Sequence, residues 1–269
     1  MKGVYPTLVR RELWEHRWLW LAPLVTAGIL IVMTVFGVVM ASSHLGGFNA
    51  AWMRRLPDGA IGMRFGLVGL TTQLFSIAAL VVTFYLLDCL YAERKDRSIL
   101  FWKSLPVSDF QTVLSKYGVA MVVLPVGTFL VATITYPLTY AISAVGLPGF
   151  TQLTGGWDSG AWLAAEGYVL AGLVATMLWY APLFAWFMLA SVISSRSPYL
   201  IASLPVVVLG VCEGLLLHSG YVWRFAGSRL LPVVNASEAV MRPSLWIGLA
   251  VAAGMLYIVM RLRRYRDDT

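Results

Sequence analysis

The chain has 269 residues, of which 59% are hydrophobic and only 12% are charged. Because soluble domains carry about 25% charged residues, this composition excludes an ordinary soluble protein and indicates an integral membrane protein. The formal net charge of +7 is no sign of nucleic-acid binding, since Lys and Arg gather on the cytoplasmic loops of membrane proteins. The apolar blocks are continuous rather than alternating, which favours membrane helices over a β-barrel.

The chain opens with a polar, basic stretch, residues 1–17, ahead of the first apolar block. On a helical wheel Tyr5, Val9 and Leu13 share one side, and Glu12 departs from the pattern. A basic amphipathic segment of this kind favours an interfacial helix that lies on the inner leaflet of the membrane.

Six apolar blocks follow. A membrane-spanning helix needs about 20 apolar residues, and each block can supply them. The expected spans are Leu19–Ala41, Phe65–Leu90, a part of Tyr117–Leu147, a part of Ala161–Ile193, Tyr199–Leu217 and Ser244–Met260. Pro125 and Pro137 are expected to interrupt the third span, and Pro182 favours a kink or a tilt in the fourth.

The longest polar interruption between apolar blocks lies after the second span and runs from Tyr91 to Lys116. Its basic residues are Arg94, Lys95, Arg97, Lys103 and Lys116. Its centre, Ile99–Trp102, is too apolar for an idle solvated loop. We therefore interpret the stretch 91–116 as a docking element on the cytoplasmic side.

Two helix boundaries can be placed within this docking stretch. Ser108 and Gln111 have the spacing of a capping box, which predicts that a new helix begins there. Pro106 comes just before it and would end a short helix over about Arg97–Leu105.

The basic residues are distributed unevenly between the two sides of the predicted membrane. Of the 20 Lys and Arg residues, 14 fall on one side and 6 on the other. By the positive-inside rule this bias predicts that both termini are cytoplasmic. Residues 194–198 then form a tight inner turn. The outer segment 218–243 is too apolar for a plain loop, so we expect short helices that dip into the outer leaflet.

The sequence contains no recognisable catalytic constellation. It has neither the HExxH pattern of zinc proteases nor the GxSxG pattern of a nucleophile elbow. It also lacks GxxxxGK[ST], so any energy-driven work would depend on a partner that hydrolyses ATP. Cys89 and Cys212 have no metal-ligand spacing. We expect no enzyme activity, no metal and no cofactor in this chain.

Three acidic residues fall in or near the spans, where a charge costs about 2.5–3.5 kcal/mol and needs an explanation. Asp88 lies near the inner end of its span and is expected to pair with Arg94 or Lys95. Glu166 lies close to the outer interface, where it can snorkel towards water. Glu213 either lines a substrate path or pairs with an arginine of the outer segment. All three are candidates for polar residues within the membrane.

The run from Tyr91 to Ser108 resembles a segment of the type-2 ABC-transporter permease family. In that family an acidic-basic segment after the second span leads into a coupling helix that ends near a Leu-Pro-x-Ser turn. Here that turn would be Leu105–Ser108. The layout is also similar: an interfacial N-terminal helix, six spans, both termini inside and a semi-apolar outer segment before the last span.

The resemblance implies one all-α permease domain over residues 1–269, in the bacterial inner membrane. It would pair with a second copy or a paralogue and dock on a cytoplasmic P-loop ATPase, which holds the ATP and Mg²⁺. Phe101, Trp102 and Leu105 would fill a groove on that ATPase, and basic residues around them would steer an acidic partner surface. The expected docking residues are Arg94, Lys95, Arg97, Phe101, Trp102, Lys103 and Leu105.

Other interpretations of the sequence stay open. The docking stretch could instead be a juxtamembrane helix on anionic lipid, with Trp102 in the interface. The chain could also be a membrane-embedded enzyme, or a scaffold or sensor that transports nothing. Lipid, peptide, drug and polysaccharide are all open as substrates, as are a homodimer and a heterodimer. Export rather than import follows from the family resemblance and from the lack of a soluble capture domain.

Overall fold

The computed structural model of the protein describes residues 4–44, 59–96, 107–147, 149–233 and 235–265. All regular secondary structure in these ranges is helical. The helices are α1 (Val4–Glu15), α2 (Trp18–His44), α3 (Gly59–Asp88), α4 (Tyr91–Lys95), α5 (Asp109–Gly118), α6 (Leu124–Gly146), α7 (Phe150–Thr154), α8 (Ser159–Ile193), α9 (Pro198–Leu217), α10 (Tyr221–Leu230), α11 (Ala236–Met241) and α12 (Pro243–Tyr265). A five-residue π-helical turn, Val119–Val123, joins α5 to α6.

Among the described residues, six helical stretches are long and apolar enough to cross a membrane, which confirms the predicted all-α class and the prediction of six helices that could span it. They are Trp18–Ser42, Ile61–Lys95, Asp109–Gly146, Ser159–Ile193, Pro198–Leu217 and Pro243–Tyr265. The last helix runs on to Tyr265 instead of ending near Met260. The Arg and Leu residues that follow Met260 are strong helix formers, so nothing in the sequence stops the helix there.

The third span keeps its helical path through one of the two prolines expected to interrupt it. Pro137 lies inside α6 without a break, whereas the π-helical turn comes directly before Leu124 and Pro125. In a regular helix Pro125 would lack the N–H that bonds to the carbonyl of Met121, and its ring would press on that carbonyl. The wider turn around Met121 relieves this conflict.

The start of α5 confirms the predicted capping box. Ser108 Oγ accepts a hydrogen bond from the backbone N–H of Gln111 at 3.2 Å, and Gln111 Oε1 accepts one from the N–H of Ser108 at 3.1 Å. The short helix expected over 97–105, with Pro106 at its end, lies outside the described residues.

The chain divides into two compact units. The first consists of Met1–Arg17, Leu80–Leu124 and Gly172–Thr269. The second consists of Trp18–Ala79 and Pro125–Ala171. Membrane helices pack tightly where small side chains let their backbones approach, and both units follow this rule.

In the first unit the packing centres are rich in alanine. One of them joins Ala181 and Ala185 of α8 to Ala252 of α12. Another joins Leu87, Ala190 and Ala202. In the second unit the buried residues are Leu67, Tyr136, Ala165 and Val169 in one cluster and Ala27, Leu74 and Ala132 in another.

The segment before the last helix contains short helices, α10 and α11, as expected from its composition. Its place in the outer leaflet stays a prediction. Arg229, which belongs to the predicted outer segment 218–243, is only 8% exposed. Its guanidinium lies 3.9 Å from the ring centre of Trp179 and donates to the carbonyls of Trp179 (3.2 Å) and Ser244 (2.8 Å). Burial lowers the pKa of Arg229, and these contacts fasten the segment to α8 and α12.

A second contact that holds the same segment is the close packing of Trp223 on Gly210 of α9. A Cβ atom added to Gly210 would lie 2.6 Å from the indole of Trp223 in α10, whereas one added to Gly214 would meet nothing within 4 Å. We expect Gly210→Ala to lower the free energy of unfolding by about 1 kcal/mol, because the indole must shift to make room. Thermal unfolding in mild detergent measures this change. Gly214→Ala, one turn away, is the matched control. Equal melting temperatures for the two variants would contradict the close contact between Gly210 and Trp223.

Candidate functional site

Helix α1 packs against α5 and buries an acidic residue. Leu8 and Glu12 lie one turn apart on the buried side, and Glu12 is only 1% exposed. This buried side is not the apolar side of the helical wheel: Tyr5 is 39% exposed, and Val9 is only partly buried. The predicted contact of that apolar side with the inner leaflet stays a prediction. A buried carboxylate needs a cation and hydrogen bonds to offset its lost hydration, so the position of Glu12 depends on what α5 and α3 supply.

Lys116 of α5 supplies the cation. Its ammonium Nζ lies 2.9 and 3.0 Å from the two carboxylate oxygens of Glu12, and the Lys116 side chain is itself 1% exposed. Tyr85 of α3 donates its hydroxyl to Glu12 Oε2 at 2.9 Å. The pair is therefore both charge-balanced and hydrogen-bonded, which is the condition for an ion pair to persist in a buried position.

Glu93 of α4 extends this pair into a network. Its carboxylate lies 3.2 Å from Lys116 Nζ, 3.0 Å from Arg263 Nη2 and 3.5 Å from Arg11 Nη2. Arg263, in the last turns of α12, is 3% exposed, and its Nε lies 3.2 Å from Asp109 Oδ1.

We call Glu12, Glu93, Lys116 and Arg263 the buried ion cluster. Its two carboxylates and two cations cancel in formal charge. The cluster joins α1, α4, α5 and α12, which lie far apart in the sequence.

The rim of the buried ion cluster is partly exposed to solvent. Arg11 forms a bidentate ion pair with Glu15, in which Nε lies 2.8 Å from Oε1 and Nη2 lies 3.2 Å from Oε2. Burial alone would lower the pKa of Arg11, but the bond to Glu15 and the nearby carboxylates outweigh it and raise that pKa. The pKa of His16 is lowered chiefly by burial, against the opposing effect of Glu12. His16 is therefore mainly neutral at pH 7, with its ring edge-on to Tyr85 at 4.9 Å between centroids.

One group of side chains at this rim has the geometry of possible metal ligands. Ligand atoms of Glu12, Glu15 and His16 lie within 4.8 Å of one another. However, Lys116 already occupies both oxygens of Glu12, and Arg11 occupies those of Glu15. A cation bound there would have to break both ion pairs, so the arrangement favours an ion-pair network over a metal centre.

Helix α4 is also fixed to the end of α8. Arg94 donates through Nη2 to the carbonyls of Ser191 (2.8 Å) and Ser194 (2.6 Å), which are acceptors left over where a helix ends. Tyr91 donates its hydroxyl to the carbonyl of Arg196 at 2.9 Å, in the predicted tight turn between α8 and α9. That turn is confirmed, since α8 ends at Ile193 and α9 begins at Pro198.

The other docking residues expected from the sequence are only partly covered by the structure. Lys95 is exposed at the end of α4. Asp88 is partly buried at the end of α3, and its pairing with Arg94 or Lys95 stays a prediction. Five further docking residues lie outside the described residues: Arg97, Phe101, Trp102, Lys103 and Leu105.

The two remaining acidic candidates lie in different units and have different surroundings. Glu166, in the second unit, is 8% exposed and accepts a hydrogen bond from Thr133 Oγ1 at 3.0 Å. It is thus buried against α6 instead of reaching outward. Glu213, in the first unit, accepts from the hydroxyl of Ser219 and from the backbone N–H groups of Tyr221 and Val222, at 2.6 to 2.7 Å.

These contacts make Glu213 a cap for α10. A carboxylate that accepts the first N–H groups of a helix offsets both the unpaired donors and the positive end of the helix dipole. Neither a substrate path nor an arginine partner is needed to explain why this acidic residue stands within α9. Capping is a role that the sequence prediction did not include.

The buried ion cluster is the feature that sequence reasoning missed. The sequence alone predicts Lys116 as a basic residue of the docking stretch and Arg263 as one of the 14 Lys and Arg residues on the inner side, while Glu93 falls in the acidic-basic segment of the family resemblance. One signal was present: Glu12 interrupts the amphipathic pattern of α1, and an acidic residue on the buried side of a helix needs a buried cation. Comparisons with family models, curated proteins and solved structures find no match to this chain.

Proposed function

We propose that the chain is the transmembrane permease subunit of an ATP-driven ABC exporter in the bacterial inner membrane, with both termini in the cytoplasm. The segment that resembles the coupling region of type-2 permeases is Tyr91–Ser108, which begins in the last residues of the second candidate stretch and ends directly before the third. A separate P-loop ATPase would bind and hydrolyse ATP. A second copy or a paralogue would complete the transport path.

One observation carries the proposal: both flanks of residues 97–106 are held by the same buried ion cluster. Glu93 precedes this stretch, and Lys116 follows it, with 3.2 Å between their charged atoms. Asp109, directly after the capping Ser108, is bound to Arg263. An element that a partner pushes or pulls needs fixed supports on both sides, and the cluster supplies them.

The proposed mechanism follows from the helices that the buried ion cluster joins to the coupling segment. ATP binding would close the partner ATPases and displace the coupling segment docked on them. The buried ion cluster connects that segment to α1, α5 and α12, so the displacement would move these helices together as a rigid body. The two permease subunits would then open a path outward.

The docking surface is tested by Trp102→Ala combined with Leu105→Ala. We expect the amount of ATPase that co-purifies in mild detergent to fall at least about tenfold, because large apolar side chains carry much of the binding energy of an interface. The variant should enter the membrane at the native level.

The matched control is Trp18→Ala combined with Leu21→Ala, which removes the same two residue types at the same spacing from α2. This control should retain the ATPase. If the Trp102/Leu105 variant retains as much ATPase as the control does, the docking proposal fails.

A further inference from the structure

A groove of about 790 Å³ lies between the start of α5 and the end of α12, within the first unit. Its α12 side includes Ala253, Tyr257, Met260 and Arg264. These residues follow one another at spacings of four, three and four, so they form one stripe along the helix. At 1.5 Å per residue the stripe is roughly 16 Å long.

The groove changes character along this stripe. At the end nearer the middle of α12 it is lined by Ala253, which is exposed, and by Met260 further along. Phe110 of α5 adds an exposed aromatic ring. At the other end, in the last turns of α12, it is lined by arginines. One wall is thus apolar along the candidate span and strongly cationic where the span ends.

The cationic end has an excess of positive charge. Among the residues that the structure describes, three arginines and one acidic residue line the groove, Arg261, Arg263, Arg264 and Asp109. These four carry a formal charge of three minus one, or +2, and Glu93, which is bound to Arg263, offsets one of these charges. Arg261 donates through Nε to the hydroxyl of Tyr257 at 2.9 Å, which orients the guanidinium beside the stripe.

Arg263 contributes the second observation. Its side chain is 97% buried, and its Nη1 nitrogen has no hydrogen-bond partner among the residues that the structure describes. Buried arginine nitrogens are almost always hydrogen-bonded. Because this nitrogen is closed to solvent, an acceptor that enters the groove would satisfy it by displacing the side chains that cover it.

We propose that the groove binds an anionic phospholipid of the adjacent leaflet. The phosphate oxygens accept hydrogen bonds from Arg261, Arg263 and Arg264, and one acyl chain lies along the stripe towards Ala253. Basic pockets between helix ends are typical binding sites for anionic head groups. In the proposed topology this leaflet is the cytoplasmic one, but the inference does not depend on an ATPase partner.

Native mass spectrometry of the delipidated protein, titrated with phosphatidylglycerol or phosphatidylcholine, tests the charge requirement. We expect Arg261→Gln with Arg264→Gln to weaken phosphatidylglycerol binding by about fivefold for each arginine and to leave phosphatidylcholine binding unchanged. The control is Arg224→Gln with Arg242→Gln, two exposed arginines of the segment before α12. Equal affinity of the native protein for the two lipids, or native affinity in the Arg261/Arg264 variant, would overturn the proposal.

A second arm distinguishes a lipid from a free anion. Ala253→Trp places a bulky ring in the apolar end and should weaken phosphatidylglycerol binding while all three arginines remain. Inorganic phosphate at millimolar concentration should not displace the lipid from the native protein. If phosphate does displace it and Ala253→Trp has no effect, the occupant is a soluble anion and the lipid assignment is wrong.

Discussion

Lys116→Met is expected to be the most destabilising single substitution in the first unit. It removes the cation that lies between Glu12 and Glu93 and leaves the Glu12 carboxylate buried without an ammonium partner. Removing one member of a buried ion pair costs about 3–5 kcal/mol, which corresponds to a fall in melting temperature on the order of 10 °C for a chain of this size. Thermal unfolding in mild detergent measures the effect.

Two comparisons separate the buried charge from the side chain itself. Lys95→Met makes the same replacement at an exposed position of α4 and should leave the melting temperature nearly unchanged. Glu12→Gln combined with Lys116→Met removes both charges of the pair. Its cost should be clearly smaller than the sum of the two single costs, since residues in one network are coupled. Additive costs would show that Lys116 and Glu12 act independently.

The sequence predicted the spans well because their signal is local. About 20 apolar residues in a row specify a membrane helix whatever they contact, and Ser108 with Gln111 specifies a helix start through bonds only three residues apart. The buried ion cluster is not local: Glu12 and Lys116 are 104 residues apart. A composition or wheel argument assigns each charge to the surface by default. Only the fold reveals which of them meet.

Glu213 and Arg229 show the same limit in the segment before α12. The sequence places each of them in or beside an apolar stretch, but the role of each depends on the path of the chain around α10. Glu213 caps that helix, and Arg229 donates to carbonyls of α8 and α12. The partners of both side chains are therefore backbone groups. Nearly every residue carries such groups, so the sequence does not show which of them a charged side chain contacts. Five of the seven expected docking residues lie within 97–106, outside the described residues, so their contacts with a partner stay predictions.

Glu93→Gln is expected to separate assembly from coupling in the proposed transporter. Glu93 is the residue of α4 that pairs with Lys116 and Arg263 in the buried ion cluster. When the Glu93 charge is lost, Lys116 retains its ion pair with Glu12, and Arg263 retains its ion pair with Asp109. The cluster should therefore stay assembled, at a cost in stability because one member of a buried network is lost, while its attachment to the start of the coupling segment weakens. We expect the ATPase to co-purify at the native level.

In nanodiscs, the permease-dependent change in ATP hydrolysis should fall about tenfold in this variant, equivalent to about 1.4 kcal/mol of activation free energy. Asp96→Asn, an exposed acidic residue three positions later, makes the same chemical change outside the cluster and should behave like the native chain. Glu93 and Asp96 both precede residues 97–106. A difference in ATP hydrolysis between the two variants therefore reports the buried contact of Glu93 and not the loss of a nearby charge. If the two variants hydrolyse ATP alike, the buried ion cluster supports the fold without transmitting motion, and the mechanism must run through other contacts of the coupling segment.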